Sequence, residues 1–282
     1  AFSETNSHGI QHLKMLKQAG LNTVHLLPTY DISTVDEEPG TAINLAASMS
    51  KVCSVFPELA ACNQVQDKSV SLQQYLSTLD KRSGQAQEIV EQIRGKDDYN
   101  WGYDPYHYTV PEGGYAVNPE GENRILEFRE MVTSLHQMGF RVIMDVVYNH
   151  TFQSGVAEKS VLDKIVPGYY HRYNITNGAI ETSTCCDNSA TEHAMMEKLM
   201  TDSLVVWAKD YKIDGFRFDL MGHQPKDAML RSREAVRKVD PDTYFYGEGW
   251  NFGEVANNAQ FVQASQTELA GTEIGTFTDR LR

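Results

Sequence analysis

The sequence predicts a parallel α/β fold, and three observations carry that prediction. Amphipathic helical stretches alternate with short apolar strands; a glycine stands between helix and strand in the two clearest units; and the strands are nearly unbroken apolar runs, as in a sheet buried on both faces. In the first unit Ile10 to Ala19 is helical, Gly20 ends the helix by tolerating positive φ, and 22–27 is the strand. The second unit runs from a helix over 122–138 through Gly139 to a strand over 141–147, with Ile125, Phe128, Val132 and Leu135 at helical spacing. A third helix lies between Ser189 and Tyr211. Ser189-Ala-Thr-Glu192 reads as its capping box, and Met196, Leu199, Met200, Leu204 and Trp207 as its apolar face. It leads to a strand over 213–219. A fourth helix, about 226–239, is stopped by Asp240-Pro241 and feeds a strand over 243–249. This alternation implies right-handed crossovers. Two long stretches interrupt it: about 31–98, with a polar helix expected near 71–94, and about 151–188. Both read as insertions at the C-terminal ends of strands, where α/β sites are built.

The 282 residues carry 25 Lys+Arg against 38 Asp+Glu, a net charge of −13, and are 41% hydrophobic. Such a chain is large enough to bury a sizeable core and too apolar to be disordered. Its acidity argues against a nucleic-acid partner, which needs a basic face. No run approaches the ~18 apolar residues of a membrane-spanning helix. Cys53 and Cys62, nine apart in a polar stretch, suit a disulfide and an oxidising compartment. Cys185 and Cys186 are adjacent and are expected not to bridge each other. Without paired Cys-x-x-Cys spacing, no zinc site is expected.

Strand residues alternate faces, so Gly215, Arg217 and Asp219 share one face while Phe216 and Phe218 share the other. On the next strand Tyr244, Tyr246 and Glu248 share a face, and Glu248 again stands at the C-terminal end. Carboxylates on adjacent strands lie ~5 Å apart, the separation a retaining glycosidase needs between nucleophile and acid/base. Arg217 is expected to hold Asp219 ionised, and Tyr246 and Trp250 to give Glu248 less polar surroundings. Arg-x-Asp on a strand is often only a structural ion pair; two such acids ending consecutive strands favour function. Asp145-Val-Val-Tyr-Asn-His150 closes the preceding strand. Asp145 there pairs with Arg217, or Asp145, Asn149 or His150 ligates a metal, since Asn and Asp oxygens suit calcium. His8 and His12 lack a third ligand and read as a solvated helix face. Tyr99-Asn-Trp-Gly-Tyr-Asp-Pro-Tyr-His-Tyr108 holds five aromatics in ten residues. It reads as a sugar-stacking surface or, failing that, as an aromatic plug under a loop.

Asp145-Val-Val-Tyr-Asn-His150, Asp214-Gly-Phe-Arg-Phe-Asp219 and Gly247-Glu-Gly-Trp250 resemble three of the four conserved regions of the α-amylase superfamily. Tyr99-Asn-Trp-Gly-Tyr-Asp-Pro105 is similar to the signature of its type I pullulanases. The resemblance extends through Asp163-Lys-Ile-Val-Pro167 and the Cys185-Cys186 pair. It implies a (β/α)₈ TIM barrel, of which strands two to five are represented here with long insertions after strands two and three, in one incomplete catalytic domain. The first strand and a later region with a third essential aspartate are expected outside the chain. It also implies hydrolysis of α-1,6 linkages in pullulan, amylopectin and limit dextrins with retention of configuration. By this resemblance Asp219 is the nucleophile, Glu248 the acid/base, and Tyr103, Asp145, His150, Arg217, His223 and Trp250 bind substrate. No cofactor is implied for the chemistry, and a calcium ion, common in the family, would be structural. The partner implied is an α-glucan, and the location extracellular, at the cell surface or periplasmic. Other readings are an isoamylase-like enzyme, an amylopullulanase, or a non-catalytic glucan-binding barrel.

Overall fold

Helices form where apolar residues recur at helical spacing, and strands where the apolar run is unbroken. The computed structural model describes residues 5–37, 40–97, 100–278 and 280; Asp98 and Tyr99, and the terminal Leu281 and Arg282, lie outside the described residues. In chain order the elements are α1 (His8–Gln18), β1 (Thr23–Leu26), β2 (Tyr30–Ile32), α2 (Met49–Val55), α3 (Ala61–Gln64), α4 (Leu72–Ser77) and α5 (Gln85–Ile93). There follow β3 (Pro105–Pro111), α6 (Asn123–Gln137), β4 (Arg141–Val146), β5 (His150–Thr151), α7 (Leu162–Ile165), β6 (Asp187–Asn188) and α8 (Ala194–Lys209). The last are β7 (Gly215–Phe218), α9 (Lys226–Arg237), β8 (Tyr244–Gly247) and β9 (Gly275–Thr276). They fall into two compact units, residues 34–101 and the remainder.

In the larger unit a five-stranded parallel sheet has the order β1-β4-β7-β8-β9. The sequence reading counts only four of these strands; β9 is two residues long and leaves no apolar run to detect. One sheet face is apolar: Val142, Met144, Val146, Phe216, Phe218 and Phe245 share a core with Val132 and Leu135 of α6, Met196, Met200, Leu204 and Trp207 of α8, and Met229 and Val236 of α9. Gly20 and Gly139 follow α1 and α6 at φ 101° and 84°, the left-handed conformation that ends a helix at little cost in glycine. The proposed capping box at Ser189 does not form. The helix α8 starts at Ala194, after His193, because Ser189 Oγ donates to the Tyr148 carbonyl and the Glu192 carboxylate is taken by Arg172.

The smaller unit has its own core of Ile43, Met49, Val52, Leu59, Leu72, Tyr75, Ile89 and Ile93. The single polar helix expected near 71–94 is two, α4 and α5. A Ser71/Gln74 capping box opens the first, and local hydrogen bonds of Asp80 with Arg82 and Ser83 hold the turn between them. A disulfide joins Cys53 of α2 to Cys62 of α3, with Cα atoms 5.6 Å apart.

In the larger unit's 151–188 stretch, β5 and β6 pair antiparallel. Asp163 accepts from the Gly155 and Gly168 N–H groups at 2.7 and 3.1 Å, tying two turns together. Cys185 and Cys186, expected not to bridge each other, are bonded across a Cα separation of 3.8 Å. They sit in an irregular turn whose ends Asn188 holds through Thr184 and Ser183, so no helix or strand geometry opposes the closure. Among the described residues no helix is long and apolar enough to cross a membrane.

Candidate active site

Sheet register sets the site. Asp145 of β4, Arg217 of β7 and Tyr246 of β8 are direct neighbours across the three strands, while Met144, Phe216 and Phe245, one residue earlier, face the helices. Two residues further along, just past their strands, come Asp219 and Glu248. Their N–H groups continue the ladder to the Val146 and Phe218 carbonyls at 2.9 and 3.1 Å, which keeps both side chains on the Arg217 face.

Arg217 is the hub. Its Nη1 donates to Asp145 Oδ1 at 2.8 Å and Asp219 Oδ1 at 3.2 Å, and its Nη2 lies 2.9 Å from Glu248 Oε1. Burial works against the guanidinium charge, but Asp145, Glu248 and Asp219 together hold it above its ordinary range. Glu248 Oε2 accepts from the Leu220 N–H at 3.0 Å. Leu220 sits at φ 42°, ψ 47°, a left-handed conformation rare for a branched residue, directly after Asp219.

Three carboxylates around one cation leave negative charge in excess. Burial pushes the Asp145 carboxyl up to about 6, against the pull of Arg217 and of the Tyr103 hydroxyl, which donates to Oδ2 at 2.7 Å. Asp219 is likewise raised, by burial first and by Glu248, although Asn149 and Arg217 draw it down. Arg217 lowers the Asp219 pKa as expected from its charge, but burial outweighs it and the net shift is upward. Tyr246 and Trp250 do not give Glu248 less polar surroundings, since Arg217 and the Leu220 amide hold its two oxygens.

His150 is buried, with Nε2 2.7 Å from the Tyr103 carbonyl and Nδ1 2.6 Å from Asn149 Oδ1. Burial lowers its pKa, opposed by the Tyr103 carbonyl and the Asp219 charge. Thus Tyr103, Asp145, His150, Arg217, Asp219 and Glu248 form one cluster. His223 contacts a different set: Ser183 at 2.9 Å, the Phe252 ring and, at 3.9 Å, Glu254. Burial lowers its pKa to about 4. Trp250 follows Glu248 on a loop that touches the one after β7. The Gly222 N–H donates to the Glu248 carbonyl at 2.9 Å, and a Cβ on Gly222 would run into the Trp250 carbonyl.

Of the aromatic stretch, Tyr103 enters the cluster, Tyr108 lies in the core with its hydroxyl on the His150 carbonyl, and Trp101 belongs to the other unit. Tyr99 lies outside the described residues. Asp145, Asn149 and His150 do not fit calcium. Both Asp145 oxygens are taken by Arg217 and Tyr103, Asn149 Oδ1 faces a ring nitrogen, and the guanidinium repels a cation there. His8 and His12 are exposed on α1. The sequence reading missed His25, whose Nδ1 lies 3.1 Å from the Tyr246 hydroxyl and Nε2 3.9 Å from Asp145, and the link made by Asn149. The signal for His25 was a polar residue interrupting an apolar strand.

Residues 32–99 match the Pullulanase Ins domain. The chain is 46% identical to a pullulanase of Klebsiella pneumoniae, over 100% of this chain and 26% of that protein. It is 43% identical to pullulanase 1, chloroplastic, of Arabidopsis thaliana, over 100% and 27%. The solved structure of Klebsiella pneumoniae pullulanase complexed with maltotriose superposes with a TM-score of 0.90 at 46% identity, over 98% of this chain and 27% of that one. The chain therefore spans about a quarter of the length of the curated relatives it matches. With its residues aligned from end to end to pullulanases, and its parallel sheet superposing on theirs, the chain belongs to the pullulanase family.

Proposed function

We propose that the Arg217 cluster is the reaction centre of a debranching glycoside hydrolase that cleaves α-1,6 linkages in pullulan, amylopectin and limit dextrins by double displacement. Glu248 in its acid form gives a proton to the glycosidic oxygen while an Asp219 oxygen attacks the anomeric carbon, and the leaving chain departs. Glu248, now a carboxylate, takes a proton from the incoming water, whose oxygen displaces Asp219 and restores the original configuration. The observation that carries this reading is the single guanidinium touching both carboxylates at the ends of adjacent strands. The three carboxyls share one cation, and burial raises two of them, Asp145 and Asp219. Tyr103 and His150 line the sugar subsite, with His223 and Trp250 on its continuing wall. Maltotriose bound to the Klebsiella relative supports an α-glucan ligand.

The sheet in this reading is an arc of a (β/α)₈ barrel, with β1 as strand two and its other edge, β9, joining further strands. The Cys53–Cys62 and Cys185–Cys186 disulfides support an oxidising location outside the cytoplasm. A non-catalytic glucan-binding role is disfavoured, because binding alone gives no reason to keep three acids around one buried arginine. In the full-length protein, Glu248→Gln lowers pullulan turnover at least ~10²-fold, the scale of a lost general acid. Near-normal debranching by that variant would sink the assignment. The wild type releases maltotriose from pullulan; other trisaccharides would mean 1,4 cleavage.

A further inference from the structure

One buried side chain in the cluster belongs to neither the carboxylates nor their arginine. Asn149, 1% exposed, uses its whole amide. Its Nδ2 donates to Asp219 Oδ2 and to the Asp219 carbonyl, both at 2.9 Å, and its Oδ1 accepts from His150 Nδ1 at 2.6 Å. The amide sense is fixed by chemistry: a carboxylate and a carbonyl need donors, so Nδ2 faces Asp219 and the oxygen is left for the ring. We propose that Asn149 is a positioning residue for the displacement, holding the Asp219 carboxylate and the His150 ring as one unit and fixing which Asp219 oxygen attacks.

The inference rests on the reading of Asp219 as nucleophile. Arg217 Nη1 reaches Oδ1 and Asn149 reaches Oδ2, so the carboxyl plane is set by two donors, one from its own strand and one from beyond the neighbouring β4. A carboxylate held by one donor rotates about its Cβ–Cγ bond; one held by two does not. The two hydrogen bonds from Nδ2, to the side chain and the main chain of the same residue, also pin the backbone at Asp219, next to the left-handed Leu220. The other ring nitrogen, Nε2, lies 2.7 Å from the Tyr103 carbonyl, so the line of contacts runs from Asp219 through Asn149 and His150 to Tyr103.

The groups facing Asp219 are Arg217, Asp145 and Glu248 from the strand ends, His150 beyond β4, and the hydroxyls of Tyr30 and Tyr103. Among these Asn149 is the neutral donor that favours the Asp219 anion. Losing it raises the Asp219 pKa, and since attack needs the anion, the acid limb of kcat/KM moves to higher pH. In the full-length protein Asn149→Ala is expected to lower kcat about tenfold or more with KM little changed, as misplacement does. It is also expected to shift the acid limb up by about one unit, the scale of one hydrogen bond to a charge. Asn149→Ser, which keeps a short donor, recovers part of both and guards against a variant that merely misfolds. In ¹⁵N-histidine spectra the His150 Nδ1 resonance moves in Asn149→Ala. An acid limb and an Nδ1 resonance unmoved in both variants, with the wild type active, would overturn the Asn149 assignment alone. A wild type inactive on pullulan would sink the underlying catalytic reading instead.

Discussion

Two buried arginines organise the larger unit, and they are built to opposite ends. Arg172, 2% exposed, binds Glu192 through Nε and Nη2 at 2.8 and 2.7 Å and Glu254 through Nη1 at 2.8 Å. Glu254 gains further donors in Asn188 at 2.9 Å and Ser183 at 2.5 Å. Burial alone would raise its carboxyl, but Ser183, Arg172 and Asn188 outweigh it and hold it at about 2. Arg217, 9% exposed, faces three carboxylates, and there burial wins: Asp145 is pushed up to about 6 and Asp219 is raised as well. The ion types are the same, so the difference lies in the ratio of carboxylates to donors. The Arg172 cluster fastens the 183–188 turn and His223; the Arg217 cluster keeps unbalanced charge at the proposed reaction centre.

The contrast can be broken from either side. Glu254→Gln carries the larger effect on stability. Its folded pKa lies below the unfolded value, so the carboxylate's contribution is full above about 4.5 and disappears as pH falls through about 2. The shift corresponds to about 3 kcal/mol, so thermal melts of Glu254→Gln should fall several degrees below wild type at pH 7, and the two should converge as pH approaches 2. Equal melting at pH 7 would show that Arg172 does not depend on Glu254.

Asp145→Asn should behave in the opposite sense and move stability less. The folded Asp145 binds its proton more tightly than the unfolded chain does, so what it contributes is present at low pH and is lost as pH rises through about 6. At pH 7 the substitution removes an ion that folding disfavours. The melting temperature should therefore stay level or rise, while pullulan turnover falls at least tenfold as Tyr103 and Arg217 lose their shared acceptor. A melting temperature that drops as far as in Glu254→Gln would erase the distinction between the clusters.

Much of this was legible in residues that obey a simple period. The strands carrying Asp145, Arg217, Asp219 and Glu248 are apolar runs with charges on alternate positions, and that interruption located the cluster. Contacts made across distant loops left no such trace. Arg172 and Glu254 lie 82 residues apart in irregular stretches, so nothing in the sequence paired them. The sign of the Asp219 shift was misread because a charge partner is visible in sequence and depth of burial is not. Ser189-Ala-Thr-Glu192 satisfied the local capping pattern, yet both end residues were claimed by Tyr148 and Arg172. β9 was missed because two residues cannot establish a period.

The central claim is that Asp219 and Glu248, held by one guanidinium, carry out two successive displacements at one carbon. Proton NMR of the reducing end first released from pullulan by the full-length protein, read before mutarotation, tests it directly. Double displacement predicts that this end appears as the α-anomer. A β-anomer as the first product would mean a single displacement by water, and would contradict the roles assigned to both carboxylates.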